Sequence, residues 1–138
     1  MSFEGHRSKA AEEQAEDQVP LLSRPLVWIG SSKENISEMP KPVKTSFGFR
    51  LRRIQQSLPT TDTKALSQFG PGVFELREAY DKNAYRVMYV VKLKRAVSVL
   101  HAFMKKSKSG IGLPKTDVIL IRSRLQRAIE EDNEDASA

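Results

Sequence analysis

Residues 72–108 read GVFELREAYDKNAYRVMYVVKLKRAVSVLHAFMKKSK. Three runs rich in Val, Tyr, Phe and Leu are separated by Asp81-Lys82-Asn83-Ala84 and by the basic Leu93-Lys94-Arg95, with no proline inside them. β-branched and aromatic residues in short runs between turn formers predict three consecutive antiparallel strands. Side chains alternate across a strand. Phe74, Leu76, Tyr85, Val87, Tyr89, Val97, Val99 and Phe103 then form the cleaner apolar set and are expected to face helices, with His101 packed among them as a hydrogen-bonded core histidine. Strict alternation puts Arg77, Arg86 and Lys106 together on the opposite face.

Upstream, Leu26-Val27-Trp28-Ile29 is an apolar run entered by Pro25 and stopped by Gly30, the pattern of an edge strand. Ser31 and Glu34 have the spacing of a capping box, predicting a short helix with Ile36 and Met39 that ends at Pro40. Pro42 suits the first turn of a second helix. Val43, Phe47, Leu51, Ile54 and Leu58 recur at helical spacing as its buried stripe, with Lys44, Arg50, Arg52 and Arg53 on its flanks. Residues 59–62 read as a loop, and the stretch up to Gly72 as a linker. After a basic, glycine-containing loop at 105–115, Thr116 is a candidate cap and Asp117 suits the first turn of a last helix. Its stripe is Val118, Ile121, Leu125, Ala128 and Ile129.

The chain of 138 residues supports one domain of the α+β class. The expected organisation is a disordered extension at 1–24, a folded domain at 25–129 and an acidic disordered tail at 130–138. The formal charge is +6 overall; a net −2 on residues 1–24 and −5 on 130–138 leave +13 on the middle. A basic core between acidic ends suits a polyanionic partner, although such a surface also serves solubility alone. The sequence has no cysteine, which excludes disulfides and thiolate chemistry. No apolar run approaches the roughly 20 residues of a membrane helix and the start lacks a signal peptide's apolar core, so a cytoplasmic protein is expected. With His6 and His101 as the only histidines, neither a histidine pair nor a metal cluster is expected, and no glycine-rich phosphate loop is present. The remaining chemistry is cationic: fixed Lys and Arg side chains stabilise charge developing on a phosphate.

The ordered set F-E-L-R (74–77), Y-R-V-M-Y (85–89), V-L-H-A-F-M-K-K-S-K (99–108) and a final helix resembles the RelE/HigB superfamily of type II toxins, especially its phage-derived HigB-like branch. The resemblance covers residues 25–129. It implies a small RelE-like domain, an antiparallel meander sheet packed against N-terminal helices and a C-terminal helix. It also implies ribosome-dependent mRNA cleavage in the A site, without metal or small-molecule cofactor, and neutralisation by a cognate helix-turn-helix antitoxin. By position, Arg77, Arg86 and Lys106 match the family's catalytic cations; Lys105 and Lys108 are secondary candidates for phosphate contact. The chain departs from the family at Glu75, an often basic position here expected to pair with Arg77, with action as a base the alternative; at Leu113-Pro114, where Thr-Pro is frequent; and in having no aromatic after Phe103. A non-enzymatic protein of the same fold is the second reading: a ParE-like gyrase inhibitor, a decayed toxin or a nucleic-acid-binding regulator.

Overall fold

The computed structural model describes residues 23–91, 95–106 and 113–137. Strands β1 (Leu26–Trp28), β2 (Thr63–Ala65), β3 (Val73–Tyr80), β4 (Asn83–Val90) and β5 (Val97–Lys106) form one sheet in the order β1-β5-β4-β3-β2. Helices α1 (Ser32–Ser37) and α2 (Lys41–Gln55) precede β2, and α3 (Lys115–Ser137) closes the order. The meander is the antiparallel series β3-β4-β5; β1 joins its edge parallel to β5. This is the α+β architecture expected of a small RelE-like domain. Among the described residues no helix is long and apolar enough to cross a membrane.

The sheet carries apolar residues on both faces, and each face has its own cover. On one, Val43, Phe47, Leu51 and Ile54 of α2 pack with Leu76, Tyr85, Val87, Tyr89, Val97 and Val99. On the other, Ile121 and Ala128 of α3 pack with Val73, Met88, Val90 and Leu100. Phe47 and Val43 are fully enclosed, and burying such side chains contributes about 1.5–3 kcal/mol each.

The β3–β4 connection is a two-residue turn. Tyr80 pairs with Asn83, and Asp81 and Lys82 both lie in the left-handed region at φ 50 and 66. That backbone follows the twist of the flanking strands, at a steric cost for any residue bearing a Cβ.

Several sequence-based expectations are corrected. The capping box does not form: the Ser31 hydroxyl donates to Asn35 Oδ1 at 3.0 Å and accepts from Arg124 at 3.1 Å. Leu58 is not part of the α2 stripe, because the chain reverses at left-handed Ser57 and leaves Leu58 exposed. Arg50 is not a flanking residue but is buried, its guanidinium bonding the carbonyls of Thr61 and Arg77 and the carboxylate of Glu78. Residues 63–65, read as linker, are an exposed edge strand. The acidic tail expected after Ile129 is instead helix as far as Ser137. It is anchored where buried Asp132 accepts the backbone N–H of Arg95 at 3.0 Å. The extension at 1–22 and the glycine loop at 107–112 lie outside the described residues.

Candidate nucleic-acid interface

The face of the sheet that carries the cations is decided in β5. Opposite β4, Met88 pairs with His101 and Tyr89 with Val99, leaving Leu100 as an extra residue in β5. Such a bulge shifts the alternation by one residue. Val97 and Val99 therefore lie with Ala102 on the α2 face, while Leu100 and Phe103 lie on the α3 face. Strict alternation from Val97 had placed His101 and Phe103 with the α2-facing core; both belong to the opposite face.

The same shift separates the expected cations. Arg77 and Arg86 are direct cross-strand partners, and Arg86 is aligned with Phe103. Lys105 stands opposite Ala84, in phase with Arg86, whereas Lys106 stands opposite Asn83, out of phase. The structure thus brings Arg77 and Arg86 together, aligns Lys105 with them by register, and does not bring Lys106 onto their row. Lys108 lies outside the described residues.

Two arginines directly opposite on one face repel each other. Glu75, one step along the same face of β3, resolves this. Its Oε1 accepts Arg77 Nε at 3.0 Å and its Oε2 accepts Arg86 Nη1 at 3.3 Å. The carboxylate side chain is 2% exposed, Arg86 12% and Arg77 47%. Glu75 therefore does pair with Arg77, but it also holds Arg86, a second partner that residue spacing within one strand does not reveal. Arg86 Nε is buried without a hydrogen-bond partner among the described residues. The result is a fixed guanidinium pair on a buried carboxylate, with Arg77 presenting its outer half to solvent.

Next to this pair, His101 is aligned with Met88 and its ring stacks on Phe103 at 4.9 Å between centroids. Its Nε2 lies 3.2 Å from Asp117 Oδ1 in the first turn of α3, and its Nδ1 is buried without a hydrogen-bond partner among the described residues. Burial pushes the imidazole below its ordinary value, against the opposing pull of Asp117. The neutral ring donates Nε2–H to Asp117 and keeps its Nδ1 lone pair. Asp117 does sit in the first turn, but its carboxylate serves the histidine. Glu75 and Asp117 are thus the participants that sequence reasoning underused. Glu75 was visible as an acid two residues before Arg77 and Asp117 as a first-turn acid, but Arg86 and His101, which they also hold, lie on other elements.

Among the described residues no group of three His, Cys, Asp or Glu side chains is arranged to hold a metal ion. The chemistry on offer is charge stabilisation by guanidinium groups.

The family model described as phage derived protein Gp49-like (DUF891) matches residues 34–126, more than half of the chain. The chain belongs to that family. Gp49-like proteins are associated with RelE/HigB-like toxins, so the resemblance drawn from the motifs is supported at the level of a toxin-like phage-derived protein. The matched span begins inside α1 and contains every element from α2 through β5 and the first half of α3, including Glu75, Arg77, Arg86, His101 and Asp117. No curated protein and no solved structure matched.

Proposed function

We propose that this Gp49-like protein is the toxin of a type II toxin–antitoxin system, a ribosome-dependent endoribonuclease that cleaves mRNA in the A site and so inhibits translation. The observation that carries the reading is the pair Arg77 and Arg86 held side by side by one buried carboxylate. Phosphodiester cleavage by the neighbouring 2′-hydroxyl forms the O2′–P bond and breaks the P–O5′ bond. A proton leaves the 2′-oxygen and another reaches the departing 5′-oxygen. The step adds negative charge to the phosphoryl oxygens, where guanidinium donors act most strongly. Half-exposed Arg77 is the first contact for the phosphate, and the more enclosed Arg86 receives the charge that develops. Lys105, in register with this row, extends the positive track; Lys106 and Lys108 follow it along the chain. A cognate helix-turn-helix antitoxin is the expected neutralising partner.

A second reading, a non-enzymatic toxin or regulator of the same fold, draws on one observation. Both Glu75 oxygens are occupied by arginines, so the carboxylate is not available as a base for the 2′-hydroxyl in this arrangement. The two readings separate in an assay of mRNA cleavage on programmed ribosomes. Arg86→Ala should lose about 2–4 kcal/mol of transition-state stabilisation, roughly 30- to 1000-fold in rate. Wild-type protein that binds ribosomes but leaves the message intact would favour the second.

A further inference from the structure

The solvent side of α2 lies across the sheet from the arginine pair. This helix carries Lys41, Lys44, Arg50, Arg52 and Arg53 and no acidic residue. Among the described residues only Arg50 of these is neutralised, by Glu78 at 3.1 Å. In the middle of the helix Phe49 is 63% exposed, the largest exposure among the described large hydrophobic residues. The guanidinium of Arg53, one turn on, stands 5.8 Å from its ring centroid and is held there by its Nε bonding the Pro59 carbonyl at 2.6 Å. A cleft of about 500 Å³ opens beside them, with Ser46, Thr60, Asp62 and Glu78 in its wall. Gly48, adjacent to Phe49, faces open space, with nothing within 4 Å of where a Cβ would stand.

An exposed aromatic face, an immobilised arginine beside it and an acid-free helix are the parts of a stacking platform for an unpaired base, with its phosphate on the arginine. We propose that Phe49 and Arg53 form a second RNA-binding site, which takes one unpaired nucleotide of a single strand and lies on the opposite side of the sheet from the Glu75–Arg77–Arg86 row. Charge favours this occupant: among the described residues Lys41, Lys44, Arg52 and Arg53 of the helix have no acidic partner, and of the two acids lining the cleft Glu78 is already spent on Arg50 and Ser46, which leaves Asp62 as the one opposing charge. An acidic peptide would use the cations but not require the flat ring. The open space at Gly48 lets a sugar–phosphate backbone approach the helix closely.

The site shares with the nuclease reading the premise that RNA is the partner, and it is tested without cleavage. Binding of the full chain to a single-stranded, fully 2′-O-methylated RNA octamer is measured by fluorescence anisotropy at fixed salt, with the matching duplex as comparison. Loss of one stacked base is expected to raise Kd roughly tenfold in Phe49→Ala, with near-wild-type affinity restored in Phe49→Tyr. Gly48→Glu, which enters open space, should weaken binding without lowering the melting temperature. Equal affinity of Phe49→Ala and wild type, a preference for the duplex, or no binding by the wild type would each overturn the site. Failure of Arg86→Ala to slow cleavage sinks the nuclease reading and leaves this binding measurement unaffected.

Discussion

At the scale of single residues, Glu75 decides what the arginine row is. A carboxylate 2% exposed would be costly alone, and two facing guanidinium groups would repel; together the three satisfy one another. Replacing Glu75 by Gln keeps the shape and removes the charge, so Arg86, itself only 12% exposed, is left without its counter-ion. The expected loss is about 3 kcal/mol of folding stability, measured by denaturant titration. Glu75→Gln combined with Arg86→Met should recover part of it, since the uncompensated charge has gone. An undiminished midpoint in Glu75→Gln would mean that the arginines, not the acid, hold the strands. His101 gives a pH signature of its own. Its folded-state value lies below the ordinary 6.5 because burial disfavours the imidazolium. The unfolded chain therefore binds the proton more readily, and stability must fall as pH drops from about 6.5 towards the folded value. Melting curves between pH 7 and pH 5 should show that slope in the wild type and a shallower one in His101→Gln. Parallel slopes would place the pH dependence elsewhere.

At the scale of elements, the β3–β4 turn offers the cleanest test of local geometry. Asp81 and Lys82 both hold positive φ, which suits this hairpin's twist but not a side chain at the second position. Lys82→Gly should relieve roughly 1 kcal/mol of that strain, partly offset by the freer unfolded chain, and raise the melting temperature by a few degrees. A drop would show that the lysine side chain supports the turn. The hairpin itself was legible, because Asp-Lys-Asn between apolar alternations is a turn signal with a mechanism. The α2 stripe from Val43 to Ile54 was legible for the same kind of reason, a period of 3.6 with Pro42 in the first turn. The β5 bulge was not. From Val97 to Met104 both faces of the strand are largely apolar, since α2 covers one and α3 the other, and the two polar residues, Ser98 and His101, sit at opposite parity, so alternation had no single phase. One extra residue, Leu100, then moved His101, Phe103 and Lys105 to the arginine face and put Lys106 out of step. Arg50 escaped for a different reason. Its burial depends on carbonyls of Thr61 and Arg77, acceptors brought to it only by the tertiary fold.

At the scale of the whole molecule, charge segregation is the feature that sequence and structure share, and its acidic end has a structural part to play. A run of Glu and Asp at the end of a helix is unfavourable to the helix dipole, which favours cations there, by about 0.3–1 kcal/mol for each exposed group near the terminus. Reasoning from that alone, residues after Ile129 should fray and their removal should be harmless. Asp132 reverses the balance. It is 7% exposed and accepts the N–H of Arg95 at 3.0 Å, tying the far end of α3 to the residues that lead into β5. A hydrogen bond to a buried charged acceptor contributes about 1.5–3 kcal/mol, more than the dipole term it opposes. A chain ending at Glu131 should therefore melt roughly 5–15 °C below the full-length protein. A chain ending at Asn133, which keeps Asp132 and removes the acids beyond it, should melt at or slightly above the full-length value. Calorimetric scans of the three chains decide the point. If the two truncations melt together, the end of α3 is held by its apolar stripe through Ala128, and the contact with Arg95 adds nothing to the fold.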